Sequence, residues 1–150
     1  MKAIALFIVA IATTIAFSKE PTWVQFTKGE TVYALALEGN FVWASTDKGL
    51  IRIDKFTKEK VFFKFADYNL PEVLVKSIAI DKNIKWFGTW GNGLIKYDGK
   101  KWEVFNRKTS AIPSDSVYSV SVDAFNNVWL GTEGGLAIYN DEGVIIRLKK

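Results

Sequence analysis

Large apolar residues alternate with small or polar ones in three segments of the chain, 32–37, 75–80 and 117–122. Alternation with a period of two predicts a β-strand with one buried face. Each segment precedes a turn rich in Asn, Asp or Gly, which tolerate the left-handed backbone of tight hairpins. A tryptophan-containing strand, a third strand beginning with leucine, and an outer strand follow each turn. The pattern therefore predicts an all-β fold built from four-stranded antiparallel units.

The unit recurs along the chain, because Trp43, Trp86 and Trp129 stand 43 residues apart. A period of about 40–45 residues is that of one propeller blade. We predict a partial β-propeller with three blades, over 32–65, 75–105 and 117–148. Further positions recur in register and are interpreted as structural repeat residues: Thr46, Thr89, Thr132, Gly49, Gly93, Gly135, Asp81 and Asp123.

The first strand of each unit is predicted to lie nearest the ring axis, because its alternate residues are small. These are Ala34, Ala36, Ser77, Ala79, Ser119 and Ser121. An additional outer strand is predicted over 22–27, since Trp23-Val-Gln-Phe26 matches Trp102-Glu-Val-Phe105. No segment shows a helical period.

The beginning of the chain has the pattern of an export signal. A basic start at Lys2 precedes an apolar run, and the small residues Ala16 and Ser18 have the spacing of a cleavage site. An uncleaved anchor helix is the alternative, but a membrane span needs about 20 apolar residues and polar Lys19 comes too soon. We predict a signal peptide over 1–18, a propeller region over 19–150, and a periplasmic or secreted protein with no stable membrane anchor after cleavage.

Several motifs are specific enough to identify a family. The sequence resembles the two-component regulator propeller repeats, the sensor regions of bacterial hybrid histidine kinases and of some secreted proteins. The first copy is more diverged, since Ala44-Ser45 replaces an aliphatic-Gly pair and Glu38 stands where the other copies have Asp. The motifs that carry the resemblance lie at 77–81, 86–89, 93–98 and 112–117, and again at 119–123, 129–132 and 135–140. The resemblance implies a periplasmic or extracellular recognition module and carries no set of catalytic residues.

Composition excludes several kinds of chemistry. The chain has no histidine and no cysteine, which excludes Ser-His-Asp and Cys-His catalysis and the usual zinc sites. No cofactor is predicted. Removing Lys2 leaves 19 basic and 16 acidic residues, a net charge of +3, and these charges are scattered, which argues against nucleic-acid binding. Asp81 and Asp123 are interpreted as turn-capping residues, and a ring of metal or substrate ligands is the alternative.

The candidate ligand-binding residue is Trp90. It has no counterpart in the other copies, which have Asp47 and Glu133 there, and it lies in a glycine-rich turn. The repeat tryptophans, in contrast, are expected to pack one blade against the next. The loop between the second and third strands should share a face with the blade-to-blade link, and loops on a rigid scaffold commonly carry recognition. This face would carry Trp90, Asn92, Tyr68, Arg107 and Glu133, together with Asp47 and Asn69.

Three functions remain open from the sequence. The first is a non-catalytic sensor or recognition module that binds a carbohydrate or protein ligand on its loop face. The second is an assembly or structural role, in which the propeller is completed by self-association or by further blades, since propellers have about four to eight. A truncated piece of a larger sensor also fits that blade count. The third, a propeller lyase or glycosidase, has only scattered carboxylates in its favour and ranks last.

Overall fold

The computed structural model describes residues 23–143, which form three antiparallel sheets. The first sheet contains β1 (Val32–Glu38), β2 (Phe41–Thr46), β3 (Gly49–Asp54) and β4 (Lys60–Phe63). The second contains β5 (Val75–Asp81), β6 (Ile84–Thr89), β7 (Leu94–Tyr97) and β8 (Trp102–Phe105). The third contains β9 (Val117–Val122), β10 (Val128–Thr132) and β11 (Gly135–Tyr139). The all-β prediction is confirmed.

Each sheet is a simple meander in which neighbours in sequence are neighbours in space. A 3-10 helix at Phe65–Tyr68 in the link after β4 is an addition to the predicted elements, and it ends at Asn69 in the left-handed conformation. No helix within residues 23–143 is long and apolar enough to span a membrane. The predicted signal peptide over 1–18 and the outer strand over 144–148 lie outside the described residues.

The predicted outer strand over 22–27 is not formed by its described residues, 23–27. Trp23 is 97% exposed. An outer strand pairs along a third strand, whereas Phe26 of this segment contacts the edge of the first sheet. The Lys60 ammonium donates to the Phe26 carbonyl, and the Lys58 ammonium lies 5.1 Å from the Phe26 ring centroid.

The inner strand β5 lies against both β1 and β9, and the first two repeat tryptophans pack between neighbouring sheets. Trp43 is almost fully buried and its ring lies 6.2 Å from that of Phe87 in the second sheet. Trp86 is also buried, and its ring lies 5.6 Å from that of Tyr139 in the third sheet. Trp129, on the sheet with no following neighbour in the described residues, is only half-buried.

The close approach of the inner strands explains the divergence of the first copy. A Cβ on Gly88 would lie 2.4 Å from Ser77 Oγ, the residue paired with it on β5. In the first sheet the corresponding pair is Ser45 and Ala34. The serine of the pair lies on β2 in the first sheet and on β5 in the second, and the residue opposite it is small in both. Ser45 Oγ donates to the Val75 carbonyl at 3.0 Å.

Candidate functional site

The loop between the second and third strands of every sheet is attached to the link that precedes the first strand. In each case the first loop residue donates its backbone N–H to the carbonyl of the residue directly before the inner strand. These bonds run from Asp47 to Thr31 at 3.2 Å, from Trp90 to Leu74 at 2.9 Å and from Glu133 to Ser116 at 3.0 Å. Loops and links therefore lie on one face, which we call the loop face.

The repeated threonines hold the shape of these loops. Thr89 Oγ1 donates to the Gly93 carbonyl at 2.7 Å and accepts the Asn92 N–H at 3.2 Å. Thr46 and Thr132 form the same pair of bonds across their own loops. Gly93 has a φ of +78°, which a side chain rarely adopts, and a Cβ there would lie 2.0 Å from the Phe105 carbonyl oxygen. The threonine and glycine of the motif therefore have structural roles.

Trp90 projects from the longest of the three loops. Its side chain is 57% exposed. The Lys76 ammonium lies 4.8 Å from the Trp90 ring centroid and 4.6 Å from that of Tyr33. An ammonium at this distance is attracted to the negative face of the ring. The loop itself is fixed, because Gly91 and Gly93 both donate to the Asp115 carbonyl, at 3.0 Å and 2.7 Å.

The structure brings together some of the sequence-predicted site residues and separates others. Asn92 shares the Trp90 loop, and Arg107 is tied to the same region because its N–H donates to Asp115 Oδ1 at 2.7 Å. Glu133 lies on the corresponding loop of the third sheet. Tyr68 belongs to the link after β4, and its ring lies 5.2 Å from that of Trp102 in the second sheet.

A cleft of about 420 Å³ lies on the loop face, between the loop of the first sheet and the link after β4. Leu74, whose carbonyl binds the Trp90 N–H, lines this cleft. Its charged lining residues are Asp47, Lys48, Lys64 and Glu72. Sequence reasoning found Asp47 but missed the other three. A comparison of the charges in the loop 46–49 with those in the link 64–74 would have indicated them.

A second cleft of about 460 Å³ lies between the first two sheets at the opposite strand ends, where the turns at 39–40 and 98–101 meet. Arg52, Tyr97 and the ion pair between Glu38 and Lys85 line it. Sequence reasoning missed this cleft entirely. The sequence signal for this cleft is the turn position at which the second copy has Gly99 and the third copy has Asp141. That difference can be interpreted only when the sheets are known to be in contact.

Asp123 caps its turn with four hydrogen bonds. Its Oδ1 accepts from the backbone N–H of Phe125 and Asn127, at 2.8 and 3.0 Å. Its Oδ2 accepts from Asn127 Nδ2 and from the Trp129 indole N–H, both at 2.9 Å. Desolvation raises the pKa of Asp123, but these hydrogen bonds outweigh it and lower the pKa to about 2. A carboxylate held in this way stabilises structure rather than transferring protons.

No group of three or more His, Cys, Asp or Glu side chains within residues 23–143 is arranged to hold a metal ion.

Comparison with known proteins agrees with the motifs. Residues 111–134 match the family described as the two component regulator propeller. The chain carries a two-component regulator propeller repeat. The resemblance found in the sequence is thereby confirmed.

One relative is histidine kinase P4 of Formosa agariphila, which is 33% identical over 107 residues. That match covers 66% of this chain and 8% of the kinase. The chain therefore spans a small part of that curated relative.

Two solved structures have the same fold. PorZ, described as an essential bacterial surface component of the type-IX secretion system of Porphyromonas gingivalis, matches with a TM-score of 0.59 and 25% identity over 72% of this chain and 17% of PorZ. The extracellular domain of the putative hybrid two component system BT4673 from B. thetaiotaomicron matches with a TM-score of 0.67 and 22% identity, over 79% of this chain and 16% of that domain. The described residues form a propeller domain that resembles the sensor regions of two-component systems.

Proposed function

We propose that this chain is an exported, non-catalytic recognition module that binds an oligosaccharide on its loop face, with Trp90 as the principal contact. The observation that carries the proposal is the 57% exposure of Trp90 on the loop face, the face that also holds a cleft. An exposed indole offers a flat apolar surface at low cost in conformational entropy, and such residues dominate binding energy when a ligand covers them.

The surroundings of Trp90 favour a sugar as the ligand. The Asn92 side chain on the same loop offers both donors and acceptors, as hydroxyl groups require. The cleft on the same face holds about 420 Å³, which is within the range of small-molecule sites, about 300–1,000 Å³. A protein ligand would instead need a wider apolar surface on this face, and it is the other outcome of the test.

Export belongs to the same proposal. It is supported by the basic and apolar residues at the start of the chain and by the extracellular location stated for the BT4673 domain, which has this fold.

A glycan array probed with residues 19–150 tests the proposal, with Trp90→Ala as the variant. Trp23→Ala is the matched control, because Trp23 is 97% exposed and its segment contacts the β3–β4 turn, at the strand ends opposite the loop face, through Phe26. We expect the wild type and Trp23→Ala to bind the same glycans, and Trp90→Ala to lose about 10-fold or more in affinity. Equal binding by Trp90→Ala would overturn the assignment, and capture of a protein but no glycan would show a protein ligand.

The second candidate function is assembly with further blades. Exposed apolar residues on the first and third sheets favour it. Leu50 and Leu94 are each 1% exposed, whereas Leu136 at the same repeat position of the third sheet is 76% exposed. On the outward face of the first sheet, Leu35 and Leu37 are each 64% exposed, although Ile51 and Ile53 of that face are buried. Exposed apolar patches of this kind mark interaction surfaces. A strict monomer at high protein concentration would contradict self-association, and Leu136→Asp should dissociate any oligomer.

A further inference from the structure

The third strands of the first two sheets carry a cation at the same repeat position, Arg52 and Lys96. The Lys96 ammonium has both an anionic and an aromatic partner. It lies 3.0 Å from Asp141 Oδ2 and 5.3 Å from the Trp86 ring centroid. Asp141 follows β11, so this pair joins the second sheet to the third.

Arg52 has no such partner. Its guanidinium lies 4.6 Å from the Phe41 ring centroid and 5.9 Å from that of Trp43. The turn residue equivalent to Asp141 is Gly99, which has no side chain to offer. Within residues 23–143, the Arg52 guanidinium makes no hydrogen bond or ion pair. The interface between the second and third sheets therefore has a carboxylate at this position, and the interface between the first and second sheets does not.

The neighbouring carboxylate cannot take this place. Glu38 lines the same cleft, but it already pairs with Lys85 and accepts the Trp43 indole N–H at 2.7 Å. The cleft lining contains two cations, Arg52 and Lys85, and one anion, Glu38, so its net charge is positive. The aromatic ring beneath the guanidinium orients its planar face, which leaves the edge donors available to a carboxylate in bidentate geometry.

The geometry points to a second ligand site in this cleft, where Arg52 binds the carboxylate of a sugar acid. The site goes beyond the proposed function, because it lies at the strand ends opposite the loop face. The cleft holds about 460 Å³, enough for one or two sugar rings, and Asn40 and Tyr97 line it with polar groups that suit hydroxyls. The acid is specified by Arg52, and the sugar by the polar lining.

An NMR titration with glucuronate and with glucose tests this site, because the two sugars differ only at the carboxylate. We expect glucuronate to shift the amide signals of Asn40 and Gly99 and to bind at least about 10-fold tighter than glucose, since charge-assisted hydrogen bonds are about twice as strong as neutral ones. Arg52→Gln should remove that preference. Arg52→Lys should retain only part of it, because an ammonium cannot make the bidentate pair.

Lys96→Gln is the matched control, since it removes a cation from the same repeat position that already has Asp141 as its partner. It should leave the glucuronate affinity measured at the Asn40 and Gly99 amides unchanged. The proposal is overturned if glucuronate binds no tighter than glucose, if Arg52→Gln binds as the wild type does, or if Lys96→Gln loses as much affinity. Thermal melting of each variant confirms that it is folded.

Discussion

The indole N–H of Trp43 donates a 2.7 Å hydrogen bond to Glu38 Oε2, at a position where the third copy has Asp123 bonded to Trp129. Glu38 also pairs with Lys85 of the second sheet, whose side chain is only 8% exposed. Glu38 therefore accepts the indole hydrogen bond as Asp123 does, and its longer side chain also neutralises a buried cation in the next sheet.

Replacing Glu38 by Ala should lower the free energy of unfolding by about 3 kcal/mol, because it leaves the buried Lys85 ammonium without a partner. Lys85→Met should cost less, since the Glu38 side chain is 25% exposed and keeps its bond from Trp43. Urea denaturation measures both. A larger loss for Lys85→Met than for Glu38→Ala would contradict this account of the pair.

The Asp123 turn should make stability depend on pH in the acid range. The folded-state pKa is about 2, below the ordinary 3.8, so the contribution is fully present above pH 3.8 and is lost as the pH falls through 2. Asp123→Asn lacks the charge and should be less stable than the wild type at pH 7. The difference between the two in urea denaturation should narrow between pH 4 and 2. A difference that stays constant over that range would show that the carboxylate charge contributes nothing.

The inner strands should tolerate no added methyl group at Gly88. A Cβ there would lie 2.4 Å from Ser77 Oγ and 2.9 Å from Val117 Cγ1. Gly88→Ala should therefore lower the free energy of unfolding by about 1–3 kcal/mol. Ser77→Ala is the paired variant. Since Ser77 Oγ is buried without a hydrogen-bond partner among the described residues, its removal should be neutral or stabilising and should recover part of the loss in the double variant.

Denaturation of the two single variants and the double variant checks this geometry. Full stability of Gly88→Ala would show that the strands are further apart than described.

Equivalent leucines should differ in their contribution according to whether a sheet covers them. Leu94→Ala should cost about 3 kcal/mol, because the residue is 1% exposed between the second and third sheets. Leu136→Ala, at the same repeat position but 76% exposed, should change the stability of the monomer by less than about 0.5 kcal/mol. Calorimetry at several protein concentrations measures both. A large, concentration-dependent loss for Leu136→Ala would instead reveal that another chain covers this face.

The strands could be predicted from the sequence because their patterns are local. Alternation over a few residues determines which face of β5 is buried, and the tryptophan period determines how many times the unit recurs. The prediction over 22–27 was wrong for 23–27, because a strand also requires a partner, and Trp23 resembles Trp102 in sequence without having one.

The clefts could not be predicted in the same way. Arg52 and Gly99 are 47 residues apart in the sequence and meet only when two sheets pack. Trp90 could be selected from the sequence because it has no counterpart in the other copies and lies in a glycine-rich turn, and its side chain is exposed. The packing of Tyr68 against Trp102 could not be predicted, since it depends on the path of the link.

The central claim is that a ligand binds on the loop face beside Trp90, and amide hydrogen exchange tests it most directly. The protein is compared with and without the glycan that binds most tightly on the array. We predict slower exchange in the loops 46–49 and 90–93 and in the link 72–74, with the turns at 39–40 and 98–101 unchanged. Protection confined to those turns or to the exposed sheet ends, or no protection at all, would contradict the account.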